Sequence, residues 1–215
     1  MMKNIAANTD GGSTLVYNQE RDVKKVMLVV VTSSRGLCGA FNTNVVKAAV
    51  ASIEGKYSQV YKDGNLSILC IGKKGFDGLK RRYPKAHFNT ESVDLFMNLA
   101  FENVASVSGK IMGLFAGKEY DEVAVAYSRF KNAAMQFAEV EQFLPIPKQD
   151  ETTQKKVKAD YIFEPDQDTL LETLIPNILQ LQFHKYLLDT HASEHGARMT
   201  SMDKATENAE ELLKA

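Results

Sequence analysis

The chain has 215 residues, 44% of them hydrophobic, and a formal net charge of −1 at pH 7. That length suits one domain with an extension or two small domains, and the apolar content suffices for a full core. The balanced charge gives no indication of a general affinity for nucleic acid, and the longest apolar run, Val26 to Val31, is far too short to cross a bilayer.

Met1 to Gln19 is polar and Gly-rich, without the apolar segment of a secretory signal, and Met1 to Lys25 reads as a flexible lead-in. Val26 to Val31 is a continuous β-branched and apolar run, the pattern of a central parallel strand buried on both faces. A turn follows, Thr32 to Gly39, and then a helix from about Thr43 to Tyr61 with Asn42 or Thr43 as its cap. Leu66 to Ile71 predicts a second strand, Phe76 to Arg82 a short basic helix, and His87 to Asn89 a weak strand. Phe101 to Phe115 carries Val104, Val107, Ile111 and Leu114 at helical spacing, with Gly117 as a stop. Glu122 to Phe130 and Phe137 to Leu144 predict two more strands. About six residues join them, too few for a parallel crossover, so this pair is expected to be antiparallel or at the sheet edge. Lys148 to Lys158 reads as a loop, and Tyr161 to Asp166 as a last short strand turning into a helix. Alternating strands and helices predict a Rossmann-like open α/β sheet over about 26–167.

From Asp168 to Ala215 the sequence predicts one helix, about 70 Å long at ~1.5 Å per residue. Its apolar positions step by four and three: Leu174, Ile178, Leu181, Lys185, Leu188, Ala192, His195, Met199, Met202, Thr206, Ala209 and Leu213. Nine of these twelve are apolar, a coiled-coil seam that requires a partner helix, and the chain has no second helix of that length.

Several motifs invite chemistry and do not sustain it. Arg35-Gly36-Leu37-Cys38-Gly39 follows a strand but lacks G-x-G-x-x-G, and no phosphate-binding G-x-x-x-x-G-K-[ST] occurs. Gly72 to Gly78 reads as a turn with a basic rim. His191-Ala192-Ser193-Glu194-His195 spells H-x-x-E-H, and two histidines four apart on a helix can reach one metal. His184 falls on the same arc. A peptidase would need a third ligand from another element and a closed pocket, so adventitious metal binding by the pair ranks above catalysis, and these histidines read first as solvated or partner-facing, with no catalytic metal and no cofactor. Lys73, Lys74, Lys80, Arg81, Arg82 and Lys85 form a basic cluster without interleaved aromatics, read as a solvated face. Cys38 and Cys70 form no close pair and read as reduced thiols.

Three stretches together resemble the gamma subunit of the F-type ATP synthase. Ser33-Ser34-Arg35-Gly36-Leu37-Cys38-Gly39-Ala40-Phe41-Asn42 is similar to the family's S-D-R-G-L-C-G-G-F-N, with Ser34 and Ala40 replacing Asp and Gly. Tyr161-Ile162-Phe163-Glu164-Pro165 is similar to Y-x-[YF]-E-P, and Ala192 to Ala209 resembles A-S-E-x-A-A-R-M-x-A-M-x-x-A-T-x-N-A. The resemblance implies a non-catalytic central-stalk subunit. In that family an N-terminal and a C-terminal helix wind into an antiparallel shaft inside the ring of alpha and beta subunits. Between them lies a Rossmann-like domain that binds no nucleotide. The family's N-terminal helix pattern does not occur here, so the sequence is expected to be a piece of a longer subunit. The resemblance also implies partners: alpha, beta and epsilon subunits and the c-ring, with the membrane reached only through that ring at the cytoplasmic face of a bacterial inner membrane. It places Tyr161, Phe163 and Glu164 at the foot near the c-ring. Ser193, Glu194, Arg198, Met199 and Met202 would lie on the shaft, with Arg35, Gly36 and Gly39 in a structural turn.

Overall fold

The computed structural model describes residues 16–147 and 167–214, with side chains from Thr173 onward in the second stretch. Five strands form one sheet: β1 (Val26–Val31), β2 (Leu66–Ile71), β3 (His87–Asn89), β4 (Glu122–Asn132) and β5 (Met135–Leu144). Their order is β3-β2-β1-β4-β5, with β3, β2, β1 and β4 parallel and β5 antiparallel to β4. Every residue of β1 is buried, as expected of a strand covered on both faces. Met27, Val29 and Val31 point into one core, and Val26, Leu28 and Val30 into the other. The first core is closed by α4 (Phe101–Ala116) and α5 (Gln167–Lys214). The second is closed by α1 (Phe41–Glu54), α2 (Ser58–Lys62) and α3 (Lys73–Leu79).

Several boundaries differ from the sequence expectation for physical reasons. The helix expected over 43–61 breaks at Gly55 into α1 and α2. It starts at Phe41 with no side-chain cap, because the Asn42 side chain is taken up by Ser33. The basic helix begins at Lys73, so the Gly-rich run 72–78 is mostly helix and only Gly72 turns. Gly72 has φ +87, and a Cβ there would lie 1.9 Å from the Thr32 carbonyl oxygen. The link between β4 and β5 shrinks to Ala133 and Ala134, a tight hairpin pinned by Asn132 Oδ1, which accepts from the Ala134 and Met135 amides. Within the lead-in, Val16–Asn18 forms a 3-10 turn. Its Tyr17 carbonyl accepts from the Ile146 amide at 2.9 Å, so this part is docked rather than loose. The expected loop 148–158 and short strand 161–166 lie outside the described residues.

The long helix carries two apolar stripes, and only one of them faces its own domain. Ile175, Leu179, Phe183, Tyr186 and Leu187 are buried against β4, β5 and α4. This stripe was not read from the sequence, because the seam beside it matches a heptad better. The expected seam lies one residue away, a rotation of about 100°. Leu181, Leu188, Met199, Met202 and Leu213 on that seam are exposed. From Met202 to Lys214 the helix is exposed on every side. The helix runs through Pro176 without ending.

Candidate functional site

The turn after β1 and the second half of α5 meet. Ser33 organises the turn: its amide donates to Asn42 Oδ1 at 3.0 Å and its hydroxyl to the Arg35 carbonyl at 2.5 Å. Asn42 Nδ2 also donates to Cys38 Sγ at 3.2 Å. Cys38 is buried, while Leu37 stands 82% exposed in a left-handed conformation (φ 62). Gly39 is left-handed as well, and a Cβ there would lie 2.9 Å from Ser201 Oγ, so the turn needs glycine to sit against the helix.

Arg198 ties the two elements together. Its guanidinium donates to the Gly36 carbonyl at 3.2 Å and pairs with the buried carboxylate of Glu194 one helical turn earlier. Below this contact, Thr190 Oγ1 accepts from the Ser128 amide at 3.2 Å and Ser193 Oγ donates to the Ser128 carbonyl at 3.2 Å. Above it, Thr200 Oγ1 donates to the Ala133 carbonyl at 3.2 Å, beside the close approach of the hairpin to Gly196. A sheet–helix bridge completes the joint: Tyr127 and Tyr186 donate to the two oxygens of Glu141 at 2.6 and 2.9 Å. Burial, then the Glu141 carboxylate, pushes the Tyr127 phenol well above its ordinary range, and burial does the same for Tyr186.

This joint occupies a telling position. In open α/β sheets, ligands bind beyond the carboxyl ends of the strands where the strand order reverses. Here the reversal falls between β1 and β4. Thr190, Ser193 and Arg198 fill that edge by bonding to Ser128 after β4's core and to Gly36 after β1. The turn that invited a nucleotide reading is therefore a seat for α5.

The other sequence-derived candidates separate. Arg35, Gly36 and Gly39 lie in the turn, and Ser193, Glu194 and Arg198 face it or the sheet. Met199 and Met202 point away and are 54% and 57% exposed. Tyr161, Phe163 and Glu164 lie outside the described residues. His191 and His195 are adjacent, with Nε2 atoms 3.3 Å apart. Burial, and then the neighbouring His195, lowers the His191 pKa. His184 does not join them, because its Nε2 bonds the Leu99 carbonyl at 3.0 Å. The basic cluster is solvent-exposed, with Arg82 paired to Glu54 at 2.7 Å. Sequence reasoning missed Thr190, Ser128 and Glu141, polar residues whose partners are far away in the chain and leave no local signal.

The whole chain, residues 1–215, matches the family model described as ATP synthase. It is 49% identical over 217 residues to the ATP synthase gamma chain of Cytophaga hutchinsonii, covering 100% of this chain and 73% of that protein. To the ATP synthase gamma chain of Christiangramia forsetii it is 43% identical over 212 residues, covering 99% of this chain and 71% of that protein. The chain belongs to the ATP synthase gamma chain family. Its function is that of the gamma chain of that synthase. The gamma-chain fold is seen too in a cryo-EM structure of the central stalk and c-ring of the Tetrahymena thermophila mitochondrial ATP synthase. The TM-score is 0.62 at 22% identity, covering 95% of this chain and 85% of that one. A rotor structure of the Euglena gracilis mitochondrial ATP synthase gives 0.55 at 20% identity, covering 99% and 76%. Two of the three gamma-chain motifs, 33–42 and 192–209, are thus the two sides of one joint.

Proposed function

We propose that this gamma chain works as the rotor's central stalk, passing torque between the membrane ring and the alpha and beta subunits. The observation that carries the reading is the dual character of α5. One stripe is fastened to the sheet from Ile175 to Thr200, while Leu181, Leu188 and Met199 on the adjacent seam and the whole of Met202 to Lys214 stay exposed. A helix held that way projects rigidly and offers a seam for a second helix. Torque requires that the joint not slip. Arg198 on Gly36, Thr190 and Ser193 on Ser128, and Thr200 on Ala133 resist rotation of the helix about its axis.

On this reading proton flow turns the c-ring and, with it, the domain that rests on the ring. The domain turns α5, and the asymmetric shaft changes the alpha and beta subunits in sequence. Hydrolysis in that ring drives the same parts backwards. Nucleotide chemistry belongs to the alpha and beta subunits, and this chain contributes no catalytic residue. Tyr161, Phe163 and Glu164 are assigned to the foot, beside the epsilon subunit and the c-ring. Met199 and Met202 are assigned to the shaft seam. No helix among the described residues is long and apolar enough to cross a membrane. The proposed location, which rests on the family, is peripheral, on the cytoplasmic face of a bacterial inner membrane and held there by the c-ring.

Rotation of the assembled complex tests the reading. Both cysteines are buried, so a cysteine placed at the exposed Asp77 accepts a bead selectively. ATP should turn the bead in one direction in complexes of alpha, beta and this gamma chain. Complexes that contain the labelled chain and hydrolyse ATP with a stationary bead would overturn the rotor reading.

A further inference from the structure

We infer that His191 and His195, with Glu194 as third donor, form a binding site for one divalent transition-metal ion on the long helix. The rotor reading does not require this site. The two Nε2 atoms stand 3.3 Å apart. Two nitrogens bound to one tetrahedral zinc ion, each ~2.0–2.1 Å from it, are also about 3.3 Å apart. The helix thus holds the pair at chelating distance before any ion arrives. Glu194 divides its carboxylate between two tasks. Oε1 accepts from Arg198, and Oε2 faces His195 Nε2 at 3.9 Å. Donor atoms of all three residues fall within 4.8 Å of one another. Oε2, the oxygen turned toward His195, is the one available for the third position.

The surroundings fit a site that is held but not closed. The Phe96 ring lies 5.5 Å from that of His191 and limits its swing. Glu194 is buried, while the His195 side chain is 61% exposed, which leaves the fourth position to water. The charged groups facing the site are Glu194 and Arg198, and the Arg198 cation is already neutralised by Glu194. Two imidazoles and one carboxylate suit zinc, nickel or copper rather than magnesium or calcium. The open fourth position resembles a catalytic zinc site. However, among the described residues the carboxylate at the site is itself the third ligand and is tied to Arg198. The site therefore binds an ion rather than performing hydrolysis. A bound ion would clip one helical turn at the point where α5 passes the domain's edge.

The test uses the tag-free chain with Zn2+ and Co2+ as probes. Calorimetry should give one Zn2+ per chain. His195→Asn and His191→Asn should each lower affinity about tenfold or more, since losing either nitrogen removes the chelate. The double variant should be little worse than either single one. His87→Asn, at an exposed histidine elsewhere, should bind as the parent does. Co2+ absorption bands should indicate four-coordination and should shift in Glu194→Gln. Because His195 is exposed, His195→Asn keeps the core intact, and its circular dichroism checks that. Unchanged Zn2+ affinity in His195→Asn would overturn the site, as would loss of binding in His87→Asn or no binding by the parent chain. Unchanged Co2+ bands in Glu194→Gln would overturn the role of Glu194 as third donor.

Discussion

The Arg198 guanidinium donates to the Gly36 carbonyl at 3.2 Å, joining residues 162 positions apart in the chain. The same guanidinium neutralises Glu194, whose side chain is only 7% exposed. Removing Arg198 therefore does two things: it frees the turn and leaves a buried carboxylate alone. Breaking a fully buried pair costs about 3–5 kcal/mol. Arg198 keeps some contact with water, so Arg198→Met should cost about 2 kcal/mol in urea unfolding. Adding Glu194→Gln should restore part of that loss, because no charge is then stranded. Additive losses within about 0.5 kcal/mol would show that the two residues are not coupled. In the assembled synthase the same variant should loosen coupling, so that proton pumping falls more than ATP hydrolysis.

Gly72 should tolerate no side chain. Its φ of +87 strains any L-residue, and an added Cβ would sit 1.9 Å from the Thr32 oxygen and 2.6 Å from the Thr32 carbonyl carbon. These are backbone atoms rather than the far end of a flexible side chain, so they do not yield cheaply. Gly72→Ala should cost upwards of about 3 kcal/mol or abolish soluble expression. Gly36 has nothing within 4 Å of its added Cβ, and Gly36→Ala should change stability by less than about 1 kcal/mol. Equal melting temperatures for the two variants would refute the crowding argument.

The five strands and the helices, the long one included, were legible in the sequence apart from the break that divides α1 from α2, since β1 is fully apolar and α4 is plainly amphipathic. The exposed seam of α5 was legible too, through its heptad spacing. What it masked was the second stripe one residue over. Ile175, Leu179, Phe183 and Tyr186 repeat at helical spacing as well, but which of the two adjacent stripes β4 and β5 cover is a tertiary fact. The same holds for the joint. Each motif was visible separately, but that Gly36 receives Arg198 depends on α5 running along β4 to the carboxyl edge of the sheet. Gly55 shows the reverse case, a local break inside a run whose apolar periodicity suggested one continuous helix.

High pH should destabilise the fold through its tyrosines. Tyr57, Tyr127 and Tyr186 are all held un-ionised, mainly by burial, with Glu122 and Glu141 adding to the effect at Tyr57 and Tyr127. Their folded pKa values lie above the unfolded one, about 10. The stability they contribute is therefore complete below pH ~10 and declines above it as the unfolded chain ionises. Each such group can add a slope of up to about 1.4 kcal/mol per pH unit. Melting temperatures should fall steadily above pH ~10, with phenolate absorbance from these three rising only at unfolding. Tyr127→Phe should flatten that fall. A parent and variant with the same slope would show that Tyr127 ionises freely in the native state.

Leu187 and Leu188 are neighbours with opposite duties. Leu187 is fully buried in the core under the sheet, and Leu188 is 47% exposed on the seam. In the chain by itself, Leu187→Ala should cost about 2–5 kcal/mol for the lost burial and the cavity left behind. Leu188→Ala should stay within about 0.5 kcal/mol. In the assembled synthase the ranking should change, because a seam that pairs with a second helix makes Leu188 a core residue there. Hydrogen exchange follows the same logic. Amides from Leu179 to Thr200, backed by the sheet, should be protected in the lone chain. Those from Met202 to Leu213, with no packing on any side, should exchange within seconds, since an unsupported helix end gains little from propensity. Assembly should slow exchange there by at least about a hundredfold if the seam acquires a partner worth roughly 3 kcal/mol. Protection of Met202 to Leu213 in a monomeric chain would mean that the helix end is stable by itself, and a partner would then no longer be needed to explain the seam.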